Sequence, residues 1–168
     1  PQARVKFINS FRRNYPDLVK GRHVIVIDCT SFHDPGHDRG LRDHTGMHHE
    51  TMKGITEAPA FTPVNTPLQG LRKKQKNLVI NVCKSGRHRS VGNTEAQYDP
   101  IRNNVYSGEN VVRTKHLQAD THWGHLCAAS CPHCRIRSTE NEPNLNRAFN
   151  ILIGIVPQHA FDPTPVAK

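Results

Sequence analysis

Two short apolar, β-branched runs stand out of an otherwise polar chain: His23-Val24-Ile25-Val26-Ile27-Asp28-Cys29 and Leu78-Val79-Ile80-Asn81-Val82. Runs of this length and composition predict strands, and the first has the continuous apolar character of a strand covered on both faces. The alternation in Val5-Lys6-Phe7-Ile8-Asn9-Ser10-Phe11 predicts a further strand, as does Asn110-Val111-Val112-Arg113-Thr114-Lys115-His116. Helical spacing is clearest at residues 144–156, where Leu145, Phe149, Leu152 and Val156 share one face. A helix is also expected over 90–97, with Ser90 as its N-cap and Pro100 ending or kinking it. Residues 12–20 read as a short basic helix interrupted by Pro16 or as an exposed loop. Residues 31–52, rich in His, Asp, Gly and Arg, predict a long loop at the C-terminal end of the first strong strand, where open α/β sheets bind ligands. Residues 53–71, with three prolines, predict a loop carrying one short helix, and the tail from Pro157 should be extended.

The expected fold class is therefore α/β. A small sheet with flanking helices carries a phosphate-binding strand–loop–helix, and a zinc-stabilised extension follows at the C-terminus. The boundary is expected near residue 117, giving a domain over 1–117 and a Cys/His-rich unit with its tail over 118–168.

Charge narrows the partners. Lys and Arg number 23 against 14 Asp and Glu, for a formal net charge of +9 over 168 residues. Such an excess favours RNA or another polyanion, or an acidic protein surface. The run Arg72-Lys73-Lys74-Gln75-Lys76 is either a solvated stretch or a widening of a polyanion footprint. No segment has the apolar length of a membrane span. The five cysteines do not form a secreted disulfide framework, which favours a reducing intracellular compartment, an organelle included.

The chemistry concentrates in two places. Directly after Val82 comes Cys83-Lys84-Ser85-Gly86-Arg87-His88-Arg89-Ser90, a basic glycine-containing turn feeding a helix. Backbone N–H groups gathered at such a turn, with two arginines and a lysine, describe an anion cradle. Three readings are open. Cys83 and Arg89 have the spacing of the cysteine-dependent phosphatase signature. There a thiolate attacks phosphorus, the arginine and amides hold the oxygens, and an aspartate (here Asp28, Asp34, Asp38 or Asp43) acts as general acid. Alternatively the turn binds a phosphate-bearing ligand without turnover. Alternatively it is structural, capping a helix and pairing with the protein's own carboxylates, as in a basic subunit of a ribonucleoprotein or other large protein assembly.

The second place is His122-Trp123-Gly124-His125-Leu126-Cys127-Ala128-Ala129-Ser130-Cys131-Pro132-His133-Cys134. Cys131 and Cys134, two residues apart, can bring both sulfurs to one tetrahedral ion. Cys127 supplies a third ligand and His122 is the expected fourth, with His125, His116 and His133 as rivals. Three thiolates and one imidazole make a closed, structural zinc site that would fold a segment too polar to hold itself. One disulfide plus a free thiol, or three free thiols, are the alternatives.

Four ordered segments over residues 4–117 carry a resemblance. Gly86-Arg87-His88-Arg89-Ser90-Val91 after Cys83 is similar to the C-T-G-G-[KR]-H-R-S-V segment of the C-terminal domain of the RNase adapter protein RapZ family. Val5 to Phe11 looks like that family's first strand. Asp28 to Gly46, with Phe32, Asp34-Pro35, Leu41-Arg42 and Thr45-Gly46, resembles its D-x-R-F-x-x-N-P…L-R-x-x-T-G segment, and Asn110-Val111 with His116 its late N-V…R-H segment. Lys84-Ser85 stands where the family has Thr-Gly, and Thr30 where it has arginine. The resemblance implies a non-catalytic adapter domain that binds a phosphorylated amino sugar and a structured RNA. By it, Cys83, Gly86, Arg87, His88, Arg89 and Ser90 would form the anion pocket; Lys84 and Ser85 join them as part of the same basic turn, not through the resemblance. Asp28, Arg42, Thr45 and Gly46 would line it, with His116 at the rim.

Overall fold

A computed structural model describes residues 2–73, 75–105, 112–118, 127 and 131–158. Within them the chain is mixed α/β. Among the described residues, six α-helices accompany a two-stranded sheet: α1 Gln2–Asn14, α2 Pro16–Val19, α3 His49–Thr56, α4 Phe61–Asn65, α5 Arg89–Val105 and α6 Glu142–Leu152. The strands are β1, His23–Asp28, and β2, Asn77–Val82. They run parallel in the register His23↔Asn77 to Asp28↔Val82. A parallel pair needs a long crossover, and α3, α4 and a 3₁₀ turn at Thr66–Gly70 provide it.

The β-branched run of β1 is why it sits in the core: Ile25, Val26 and Ile27 are buried. One hydrophobic cluster joins β1 to Phe32, Met52, Ile55, Phe61 and Leu68, and extends to Ala148, Leu152 and Val156 at the C-terminal end of the fold.

Four local expectations are corrected. Residues 5–11 belong to helix α1, because Phe7, Phe11 and Tyr15 lie four apart and stack in sequence (ring centroids 5.9 and 4.8 Å). Arg12 and Arg13 in its last turn complement the helix dipole. Val112–His116 forms no strand: Arg113, Thr114 and Lys115 are all exposed, so the segment has no buried face to alternate against. Asn110 and Val111 lie outside the described residues. The segment 53–71 is mostly helical, since Pro67 begins its 3₁₀ turn rather than breaking one, and Phe61 and Leu68 anchor it in the core. Finally, α5 continues through Pro100 to Val105, packed against α3 and α6.

A polar network sits within this core. Asn65 and Asn93 exchange side-chain hydrogen bonds at 2.9 and 3.1 Å. Asn93 also donates to Asn81 Oδ1 (2.8 Å), and Gln97 donates to Asn65 Oδ1 and Asn81 Oδ1 (2.6 and 3.1 Å). Asn81 in turn donates to Gln97 Oε1 and Thr94 Oγ1. The network ties the crossover, β2 and α5 together, so that α5 starts in a set orientation at the end of β2. Asn93→Leu removes a donor and an acceptor from buried Asn65 and a donor from half-buried Asn81. A loss of about 1–3 kcal/mol in urea unfolding is expected, because one N–H of the buried Asn65 amide is left without its acceptor.

Candidate functional site: an anion loop joined to a metal centre

The 83–90 loop leaves the C-terminal end of β2 and enters α5. Gly86 turns it with φ of +65°, a conformation that side chains disfavour, and a Cβ there would meet the Gln118 side chain at 2.8 Å. The turn folds the chain onto the Cys83 sulfur, which lies 3.2 Å from Ser90 Oγ. Burial opposes ionisation of this thiol. The Ser90 hydroxyl, the Ser90 and Gly86 amides and the Arg89 charge outweigh it, and the pKa falls below the ordinary thiol value. The interior of the loop thus favours negative charge.

The two arginines have different partners. Arg89 is 7% exposed, and its guanidinium donates to the carbonyls of Thr30 (3.0 Å) and Phe32 (3.4 Å) and to Asp34 Oδ2 (3.0 Å). Burial works against the Asp34 carboxylate, but the Gly36 amide and the Arg89 charge hold its pKa below normal. Arg89 therefore clamps the segment after β1 to the start of α5. Arg87, half-buried, donates from Nε to His88 Nε2 (3.2 Å). His88 is buried, its pKa is lowered first by desolvation and then by the Arg87 charge, and its ring hydrogen-bonds the backbone of His44 and Leu41. Lys84 is exposed and Ser85 half-buried.

The loop before α3 closes against this turn. The Gly46 amide donates to the Arg87 carbonyl at 3.0 Å. Thr45 is buried beside it, with Oγ1 accepting from the Met47 amide. Asp28 is exposed and ends β1 by accepting from the Thr30 amide and hydroxyl (2.9 and 2.7 Å). Arg42 is exposed, 3.8 Å from Asp43. His116 is engaged with Glu95 of α5 at 2.6 Å. The structure thus brings Cys83, Gly86 and Ser90 to one point and packs Thr45 and Gly46 behind it. Arg89, Arg42 and His116 are directed to protein partners. The basic run does not adjoin the loop: Arg72 and Lys76 precede β2, whereas the loop follows it.

Next to Thr45 lies the second centre. His44 Nδ1 is 3.3, 3.7 and 3.4 Å from the sulfurs of Cys127, Cys131 and Cys134, and Cys127 and Cys134 are 3.2 Å apart. All four donor atoms lie within 4.8 Å of one another. For metal–sulfur bonds of about 2.3 Å, a tetrahedron has edges of about 3.8 Å, so the cluster is near the size one ion requires. The turn at Pro132–Cys134, where the Cys134 amide donates to the Cys131 carbonyl (3.2 Å), sets the two nearby sulfurs. These residues could hold a metal ion. His122, the expected fourth ligand, lies outside the described residues; the imidazole that the fold delivers to the three sulfurs is His44. Its only sign in the sequence is the histidine-rich character of residues 31–52, because no local spacing links it to Cys127, 83 positions later.

The two centres are mechanically continuous. Cys134 hydrogen-bonds Thr45, Gly46 holds Arg87, and His88 holds the His44 backbone. No protein-family model matches the chain, nor does any curated protein or solved structure.

Proposed function

We propose that this chain is a phosphate-binding module, with the 83–90 loop as its receptor and a zinc ion at His44, Cys127, Cys131 and Cys134 as its structural brace. The observation that carries the reading is the convergence of the Gly86 and Ser90 amides and the Ser90 hydroxyl on Cys83, which lowers the thiol pKa. Groups that stabilise a thiolate equally stabilise a phosphate oxygen placed beside it. Three thiolates and one imidazole suit zinc and leave no open position for catalysis, so the ion's role is to hold the 38–48 and 131–134 segments together. The ligand class is a phosphorylated small molecule or a nucleic-acid phosphate, in keeping with the net charge of +9. An adapter role resting on the RapZ-like segments belongs to the same proposal.

Phosphatase chemistry is the second reading, favoured by the Cys83–Ser90 contact. The engagement of Arg89 with Thr30, Phe32 and Asp34 weighs against it, since both the transition-state clamp and a candidate general acid are committed to each other. One set of measurements separates the readings. Alkylation of Cys83, followed by peptide mass mapping, should show a midpoint below the ordinary thiol value, because the lowered pKa keeps the reactive thiolate populated as pH falls. Inorganic phosphate or a sugar phosphate should slow that alkylation without any turnover of an aryl phosphate. Absence of protection at millimolar phosphate would remove the binding module; turnover abolished by Cys83→Ser would establish the enzyme instead.

A further inference from the structure

The opposite end of the sheet carries a second charged feature. A groove of about 960 Å³ opens where α1, α2, the start of β1 and the turn before β2 meet. Arg12, Lys20, Arg22, His23, Arg72 and Lys76 line it, and no carboxylate does. They come from two stretches of chain, 12–23 and 72–76, which the parallel pairing His23↔Asn77 brings side by side. The five Arg and Lys side chains are on exposed residues. Among the described residues no ion pair engages any of them. The Arg72 side chain donates to the neutral Gln75 Oε1 at 3.4 Å, and the His23 ring is held by the Gly70 carbonyl at 3.0 Å.

Clustering five cations without counter-charges costs self-repulsion, which a polyanion relieves. We infer that this groove is a docking surface for the phosphodiester backbone of a nucleic-acid strand, separate from the 83–90 loop. Separation follows from topology. The groove lies at the N-terminal ends of both strands and the loop at a C-terminal end, about 17 Å away along a six-residue strand, whose ends are five steps of about 3.3 Å apart. The lining favours backbone over base recognition: apart from His23 it holds no ring on which a base could stack, and long flexible cations follow phosphates without reading base edges. Binding should therefore be strongly salt-dependent and tolerant of sequence. The module then has two anion sites with different tasks, a compact one for a single phosphate group and an open one for a strand.

The test uses the full chain and fluorescence anisotropy with labelled 20-nucleotide single strands of RNA and DNA, of homopolymeric and mixed sequence. The triple variant Arg12→Glu, Arg22→Glu and Lys76→Glu alters exposed side chains, so the fold should be retained by circular dichroism. We expect its affinity to fall at least about tenfold at moderate salt. The slope of log affinity against log salt should drop by about 2, as three phosphate contacts at roughly 0.7 each require. Phosphate protection of Cys83 should be unchanged. Lys84→Glu should do the reverse, sparing strand binding and weakening phosphate protection. Strand binding that survives the triple variant, or is lost instead with Lys84→Glu, would overturn the assignment, as would no binding of any strand. A preference of more than about tenfold among sequences would overturn the backbone-only mode. Failure of Cys83 protection alone would remove the loop's role and leave the groove standing.

Discussion

Replacing His44 with alanine is expected to abolish binding of the proposed zinc ion, whereas His122→Ala should leave binding intact. Only three of the donor atoms that lie within 4.8 Å of one another remain in the first variant, and a site with three thiolates and an open position binds zinc far more weakly than a closed one. Metal content per chain, measured by elemental mass spectrometry after dialysis, should fall from about one to well below one half. The consequence for stability is large because binding energy at a structural zinc is folding energy, about 10 kcal/mol or more in small zinc domains. The helices and strands have a core of their own, so the chain does not depend on the ion for all of its order. Even a third of that energy corresponds to a drop of about 10 °C in Tm for a domain of this size. Chelation of the native protein should reproduce the shift, and zinc should restore it in the native protein but not in His44→Ala. An unchanged metal content in His44→Ala would show that another side chain is the fourth ligand. The same loss should reach the 83–90 loop, because Thr45, Gly46 and the His44 backbone connect the cysteine–histidine cluster to Arg87 and His88.

Gly46→Ala is expected to be the most damaging conservative change in the chain. A Cβ at this position would overlap the His88 carbonyl oxygen and the Gly92 amide nitrogen. Both are backbone atoms at the start of α5, where the Gly92 amide already donates to the His88 carbonyl at 2.9 Å, so neither can rotate aside. Relief requires the 41–46 segment to move away from the loop, breaking the Gly46–Arg87 hydrogen bond. Overpacking of this kind costs about 3 kcal/mol or more. It should appear as a lowered urea midpoint and as faster hydrogen exchange at Gly46 and through residues 83–90. Gly54→Ala is the matched control. Gly54 lies within α3, and nothing stands within 4 Å of a Cβ built there. The same substitution should therefore stabilise by about 0.5–1 kcal/mol through helix propensity alone. Equal effects at the two positions would mean that the close approach of the 41–46 segment to α5 does not exist in solution.

The features legible in the chain were those encoded by neighbours. The β-branched run at residues 23–29 and the run at 78–82 predict strands because side-chain shape and burial act within a few residues, and both strands form. The glycine turn after Val82 announces itself because only a residue without a Cβ accepts φ of +65° readily. The Cys131–Cys134 pair is readable because two intervening residues suffice to bring sulfurs together, and they do meet. Where local patterns were ambiguous they misled: residues 5–11 alternate well enough for a strand, yet the four-residue spacing of Phe7, Phe11 and Tyr15 pays better as a helix.

What tertiary structure alone decided is which distant groups share a site. Sequence spacing carries no information about His44 meeting Cys127 or Arg89 meeting Asp34, because 83 and 55 intervening steps of chain can close in many ways. The parallel register of β1 and β2 chooses among them. It sends the loops after both strands to one end, where Arg89 is consumed by carbonyls and a carboxylate and the sulfurs find an imidazole. It sends the residues before both strands to the other end, where two ordinary basic stretches become one groove. Charge and composition were thus properties of the sequence, whereas the partition of that charge into internal clamps and open surface was settled by how the strands pair.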